Sequence, residues 1–245
     1  SPLKAALLAE KLGADIDMDT VTGITDGAVK TVTGENGSYP CRAVVIAAGA
    51  RHRRLGLPGE ERFIGNGLSF CAVCDGAFYR GAHVAVIGGG NTALQEIMLL
   101  SEQCSQVTVV QNLPTLTGEG ALADAVRAKE NVACLYNTVV AAYEGGESLS
   151  ALLLKNTATG EETHLPVDGA FLAIGTEPEN QAFAAVAGLD AAGYIAADER
   201  CHTGTPGVYV AGDCRTKQYR QVATAIADGA AAALSACAYL DGRGT

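Results

Sequence analysis

The sequence predicts an α/β fold of two three-layer domains, each a parallel sheet covered by helices, with one domain inserted into the other. Three observations predict it. Apolar runs that close on glycine recur at Gly49, Gly88, Gly175 and Gly212, as expected for strands buried on both faces of a parallel sheet. Helical patterns follow two of them, over Asn91–Gln103 and Ala223–Leu240. The runs lie at both ends of the chain and in its middle, so the outer domain would be built from 1–53 and 169–245, and 54–168 would be the insert.

The 245 residues are enough for one large domain or two ordinary ones, and 48% hydrophobic residues support a buried core throughout. A net charge of −10 and a pI near 4.8 argue against nucleic acid and anionic membranes as partners. No apolar run reaches the ~18 residues of a membrane helix. The start, Ser1-Pro2-Leu3-Lys4, has no basic leader and no initiator Met, so the chain is expected to begin inside a longer protein. Eight cysteines with one CxxC pair and no ladder of spacings point to a reducing cytoplasm, not to a secreted disulfide framework.

In order, Ser1-Pro2 reads as a helix cap with proline at the first helical position, and Leu3, Leu7, Leu8 and Leu12 as its apolar stripe, stopped by Gly13. Ile16 to Tyr39 reads as short strands, with Glu35-Asn36-Gly37 as a hairpin turn. Ala43–Gly49 is the first buried strand, and its small end lets a ligand approach the backbone. Arg51-His52-Arg53-Arg54 marks a solvated linker, with phosphate contact as the sharper alternative. His83–Ile87, Val107–Val110, Phe171–Gly175 and Val208–Asp213 are further buried strands. Ala93, Ile97 and Leu100 face inward on the helix from Asn91. A short helix is expected over Leu122–Lys129. Val132–Tyr143, Leu149–Lys155 and Thr163–Val167 read as an antiparallel meander, with Thr159-Gly160 as one of its turns.

The chemistry gathers in one stretch, Phe70-Cys71-Ala72-Val73-Cys74-Asp75-Gly76. CxxC spacing brings two sulfurs into reach of a small-ring disulfide, and a lowered thiol pKa lets one attack as thiolate. A zinc half-site would need two more ligands, and there is no second CxxC; Cys41, Cys104, Cys134, Cys201, Cys214 and Cys237 are scattered singly. Asp75 is placed to move a proton as a thiolate leaves, or it is a turn residue before Gly76. Gly88-Gly89-Gly90-Asn91-Thr92-Ala93 matches GxGxxA between a strand and a helix, a context in which Gly88, Gly90, Asn91 and Thr92 would cradle a pyrophosphate; the alternative is a tight turn without a ligand. The residue that selects the dinucleotide normally lies about 20 residues on. Here Gln111-Asn112-Leu113-Pro114 offers neither acid nor base. Asp213, after Gly212, is placed to hydrogen-bond a ribityl or ribose hydroxyl, or to cap a turn. The histidines at 52, 83, 164 and 202 have no ligand spacing.

Cys71 to Gly76 followed by Val84 to Ala93, and Ala211-Gly212-Asp213-Cys214-Arg215 with Arg220-Gln221-Val222-Ala223-Thr224, resemble the low-molecular-weight, FAD-containing thioredoxin reductases over essentially the whole chain. The resemblance implies two Rossmann-like nucleotide-binding domains, the inner one inserted into the outer FAD domain. It implies a route in which FAD takes hydride from NADPH and passes two electrons to the CxxC disulfide, and the dithiol reduces thioredoxin or a thioredoxin-like protein. Cys74 would face the flavin, Cys71 would attack the partner and Asp75 would be the proton donor. Asp213, Arg220, Gln221 and Val222 would lie along the flavin, with Ala48 and Gly49 near it. The inner domain would rotate on linkers near Arg51–Arg54 and around Asp168, and a homodimer is implied.

The sequence departs from that pattern twice. The family's opening strand and GxGxxG have no counterpart before Gly49, so the chain is expected to start partway into the outer domain. Gln111 and Asn112 stand where the family grips the NADPH phosphate with arginines. Each such charge-assisted contact is worth about 1.5–3 kcal/mol, so NADPH is no longer the default donor, and ferredoxin and NADH stand beside it. Reduction of another protein's disulfide and a non-catalytic binding module are the rival readings.

Overall fold

The computed structural model describes residues 2–242, and the side chains from residue 7 on. It divides into two compact units: the chain up to Arg51 together with the chain from Glu177 on, and an inner unit from His52 to Thr176.

The outer unit begins with helix α1 (Pro2–Lys11), ended by Gly13 at φ 91°. Ser1, read as its cap, lies outside the described residues, as does the side chain of Leu3. The expected apolar stripe is not buried: Leu7, Leu8 and Leu12 are all exposed. Strands β1 (Val21–Thr25), β2 (Lys30–Gly34) and β3 (Ser38–Cys41) form an antiparallel sheet, with the Glu35–Gly37 hairpin where the sequence places it. Strand β4 (Val44–Ile46) comes next, then β5 (Ala50–His52), at the first crossing between the units.

In the inner unit, α2 (Glu60–Phe63) and β6 (Leu68–Ser69) precede the short helix α3 (Ala72–Asp75), which continues as a 3-10 turn, Gly76–Tyr79. Then come β7 (His83–Ile87), α4 (Asn91–Ser101), β8 (Gln106–Val110), α5 (Gly120–Arg127) and β9 (Val132–Leu135). Strands β10 (Thr138–Gly145), β11 (Leu149–Asn156) and β12 (Glu162–Pro166) form an antiparallel sheet, and β13 (Gly169–Leu172) closes the unit. The central sheet is parallel, in the order β6-β13-β7-β8-β9. Val84, Val86, Val107 and Val109 are fully buried and pack with Ala93, Ile97 and Leu100 of α4 on one side of the sheet. Ala85, Ile87, Ala170 and Leu172 meet β10 and β11 on the other. The helix stripe read from periodicity is therefore a core stripe.

Two expectations change here. Val132–Leu135 is not part of the meander but the fifth parallel strand, because Val107 to Val110 pair with Val132 to Leu135 in register. The second crossing falls after Thr176, not after Asp168, because β13 pairs with β6 and β7. Asp168 itself accepts the His83 amide at 2.8 Å and belongs to the inner sheet.

The chain re-enters the outer unit at β14 (Thr176–Pro178), which pairs with β5. Strand β15 (Val208–Val210) runs parallel to β4, and α6 (Val222–Leu240) ends the described fold. Strand β15 also bridges His202 through Tyr209. Val45 of β4 is 41% exposed, against the expectation of burial on both faces. Helix α6 is long and apolar enough to cross a membrane by length and composition, although Thr224, Asp228 and Ser235 interrupt its apolar run. Its Asp228 is tied into the outer unit by Gly212, Arg215 and Lys217, and its Ala232 is buried against Tyr209 and Cys201.

Candidate functional site

Cys71 and Cys74 are joined as a disulfide with Cα atoms 5.3 Å apart. The geometry is local. Cys71 is extended at the N-terminal end of α3, and its Sγ accepts the Cys74 amide at 3.2 Å. The amides of Cys74 and Asp75 also reach the Cys71 carbonyl, so CxxC spans one helical turn and brings both sulfurs to one side. Cys74 is exposed and Cys71 half-buried. Val73 and Phe78, 72% and 84% exposed, give this end of the inner unit an apolar rim.

Asp75 is not merely a turn residue. Its Oδ2 accepts the hydroxyl of Ser69 at 2.6 Å, and the Ser69 Oγ accepts the Cys71 amide at 3.1 Å. Ser69 is buried at the end of β6, so the sheet fixes the hydroxyl that positions both the acid and the first cysteine. Sequence reasoning missed Ser69. The available signal was a hydroxyl two residues before a cysteine amide, the spacing of a Ser/Thr turn. Behind the pair, Tyr79 packs edge-on against Phe171 at 5.3 Å, and burial together with the nearby Asp75 pushes its hydroxyl pKa up.

The glycine turn lines a cleft of about 570 Å³ in the same unit, bounded by Gly88–Thr92, Gln111–Leu113, Thr138–Val140, Ala173–Gly175 and Arg53. At Gly88, φ is 126°, and a Cβ would stand 2.5 Å from the Ala173 carbonyl oxygen, so only glycine fits between β7 and β13. The nearest atom to a Cβ at Gly90 would be Thr117 Oγ1 at 4.0 Å, so the backbone is open to a close neighbour there. Asn91 and Thr92 begin α4, and the Asn91 Oδ1 accepts the Glu119 amide at 2.6 Å. Gln111 turns inward. It is buried, its Nε2 donates to the Thr115 carbonyl at 2.9 Å, and its amide stands over Gly89, 2.6 Å from where a Cβ would be. The loop after β8 is strapped to this turn through Thr117 and Gly118, whose amides donate to the Gly89 carbonyl at 2.8 and 3.1 Å.

In the outer unit, Ala48 and Gly49 come beside the Gly212–Cys214 turn. Burial pushes the Cys214 thiol pKa up, while the Gly49 and Ala48 amides pull against it. Gly212 (φ 79°) donates its amide to Asp228 at 3.0 Å. Arg220 lies 3.9 Å over the Tyr194 ring and donates to the Asp213 carbonyl at 3.2 Å. Gln221 caps α6 reciprocally with Thr224, and Val222 is exposed on its first turn. The structure thus brings the predicted residues into three groups: Cys71, Cys74 and Asp75; Gly88, Gly90, Asn91 and Thr92; and Ala48, Gly49, Gly212, Asp213, Arg220, Gln221 and Val222.

A disulfide on a helical turn, carried by a parallel-sheet unit with a glycine cleft and inserted in a second α/β unit, defines a nucleotide-linked disulfide oxidoreductase. The chain matches the family model described as pyridine nucleotide-disulphide oxidoreductase over residues 5–229, and it belongs to that family. It is 40% identical to a thioredoxin reductase of Treponema pallidum over 95% of this chain and 76% of that protein. It is 38% identical to one of Listeria innocua over 95% of this chain and 74% of that one. The crystal structure of thioredoxin reductase from Streptococcus pyogenes superposes with a TM-score of 0.92 at 35% identity, covering 98% of this chain and 79% of that one.

The family implies FAD, and the outer unit's residues fit it. Asp213 Oδ1 is buried without a hydrogen-bond partner among the described residues, and Gly49 (φ 72°) leaves open space where a side chain would stand. An unpartnered acceptor beside an open backbone suits a ligand rich in hydroxyls. Asp213, Ala48, Gly49 and the start of α6 would hold it.

Proposed function

We propose that the chain is a flavin-dependent thioredoxin-disulfide reductase. The observation that carries this is the Cys71–Cys74 disulfide with Asp75 held beside it by Ser69. Bound FAD would supply a two-electron relay between the donor and that disulfide. In the reduced pair, Cys71 is the attacking thiolate, favoured by the Cys74 amide on its sulfur. It attacks a disulfide sulfur of thioredoxin or a thioredoxin-like protein. A mixed disulfide forms, and the partner's other sulfur leaves and takes a proton, with Asp75 as the donor. Cys74 then attacks Cys71, restores the internal disulfide and releases the partner as a dithiol. The exposed Val73 and Phe78 offer apolar contact to a protein partner.

The glycine cleft is the place for a pyridine nucleotide, held by Gly88, Gly90, Asn91 and Thr92. Gln111 and Asn112 bring no charge to a 2′-phosphate, and the Gln111 amide is already bonded to Thr115. NADPH is therefore a weak donor by this reading, with NADH and a reduced ferredoxin as the alternatives. A reducing cytoplasm and a homodimer complete the proposal.

The test uses the protein made from its whole reading frame and loaded with FAD. Thioredoxin reduction is followed for the wild type, Cys71→Ser and Cys74→Ser. Both variants are expected to lose turnover, and Cys74→Ser is expected to trap a mixed disulfide on Cys71. Turnover that survives Cys71→Ser rejects the mechanism. The anaerobic flavin spectrum after adding NADPH, NADH or reduced ferredoxin identifies the donor by which one bleaches it.

A further inference from the structure

One titratable group beside the dithiol has no part in the mechanism above. Glu96 lies on α4 three residues after Ala93 and four before Leu100, on the stripe that faces α3 and the sheet. Among the described residues its Oε2 is buried without a hydrogen-bond partner, and its carboxyl accepts the backbone amide of Ala72, the residue joined to Cys71. A carboxylate buried with one amide for company is poorly stabilised.

The groups that face this stripe within the inner unit are otherwise engaged. Asp75 on α3 is held by Ser69 and Arg127 on α5 by Asp124; Glu102, just past α4, is paired with Lys129, and His83 of β7 bonds Thr108 on the other face of the sheet. Tyr79 of the 3-10 turn feels burial and Asp75, burial pushes up the thiols of Cys104 and Cys134 and the Tyr136 hydroxyl, which share this core, and β8 carries no titratable side chain. None of these sets the protonation of Glu96. Burial raises its pKa to about 7, and the Ala72 amide acts against burial.

We propose that Glu96 is a positioning residue for the dithiol: its buried carboxyl, on the amide next to Cys71, takes up a proton when the disulfide is reduced to the thiol–thiolate form, and so sets how steeply the reduction equilibrium falls with pH. This rests on the reading of Cys71–Cys74 as a redox pair. The S–S bond breaks and accepts two electrons, from the enzyme's donor or, in the test, from dithiothreitol. Cys74 takes one proton and becomes a thiol, while Cys71 remains a thiolate. That new charge and an ionised Glu96 would flank the same turn, so the carboxylate takes the second proton. With a neutral residue at 96, reduction to the same products takes up one proton only.

The test is the equilibrium of the Cys71–Cys74 pair in dithiothreitol redox buffers from pH 5.5 to 9, read by thiol alkylation, for the wild type and Glu96→Gln. It requires neither flavin nor turnover. At pH 6 the two reduction constants are expected to agree within about twofold. By pH 8.5 the wild-type constant is expected to be about tenfold below that of E96Q, which is about 30 mV for a two-electron couple. A ratio that stays flat across the range overturns the proposal. A pair that no buffer reduces in either chain overturns the redox reading itself. Should Glu96→Gln fail to fold, Glu96→Met fills a similar volume without charge and takes its place.

Discussion

Ser69 and Asp75 are joined by a 2.6 Å hydrogen bond, and the same serine oxygen receives the amide of Cys71. One buried hydroxyl thus fixes the distance between a proton carrier and the sulfur it would serve. Ser69→Ala leaves the Cys71 amide without its side-chain acceptor and Asp75 without its donor. Losing such buried bonds costs about 1–3 kcal/mol, and disulfide exchange at Cys71–Cys74 is expected to slow by roughly tenfold. Stopped-flow thiol exchange beside a urea melt checks both. An unchanged exchange rate in a destabilised variant would reduce Ser69 to a packing residue.

Gly88 allows no side chain. Gly88→Ala would drive a methyl against the Ala173 carbonyl at 2.5 Å while the backbone stays at positive φ. The expected loss is roughly 2 kcal/mol or more, with the central sheet pried open between β7 and β13. The urea midpoint reports it. Gly90→Ala, with open space around it, is the control and is expected to weaken nucleotide binding more than stability.

Asp228 holds two nearly buried cations, Arg215 at 2.9 Å and Lys217 at 2.7 Å. Burial pushes its carboxyl pKa up, but Lys217, the Gly212 amide and Arg215 outweigh burial and hold it below the usual range. Its stabilising contribution is therefore present above the ordinary carboxylate pKa and is lost as pH falls through the lower folded value. Asp228→Ala strands both cations and is expected to cost about 3–5 kcal/mol. Thermal melts at pH 7 test this; a shift corresponding to less than about 1 kcal/mol would mean that both cations find water.

Glu96 has the opposite sign. Its pKa is about 7 in the folded protein and about 4.3 in an unfolded chain. The folded state binds more protons between those values, so its contribution declines as pH rises through that window and stays reduced above it. Glu96→Gln is expected to match the wild type at pH 4 and to exceed it at pH 8 by about 2 kcal/mol, after allowing for partial solvent screening. Urea unfolding at the two pH values decides it, and an equal gap at both would exclude titration of Glu96 as the cause.

Much of this was legible in the chain. Gly88, Gly175 and Gly212 each close an apolar run at positive φ, and Ala93, Ile97 and Leu100 are buried as their spacing required. These features depend on local backbone chemistry and on period, which a sequence carries directly. What escaped depends on pairing across distance. Val132–Leu135 has the look of any short apolar strand, and only its register with Val107–Val110 makes it parallel. Gly169–Leu172 could have served either sheet until β6 and β7 claimed it. At the site, Cys71, Cys74 and Asp75 stand out by spacing, whereas Ser69 matters because β6 ends where α3 begins, and Glu96 because α4 turns it toward Ala72. Glu96 does fall on the 93, 97, 100 stripe, so an acid on an apolar face was the signal that could have found it.

The pairing of β5 with β14 has a bearing on how such a chain can be assembled and altered. The inner unit starts and stops on neighbouring strands, about 5 Å apart. A host fold that accepts it need open no wider than it would for a hairpin. The dithiol and the glycine cleft both fall inside 52–176, so one exchanged segment would carry the two together.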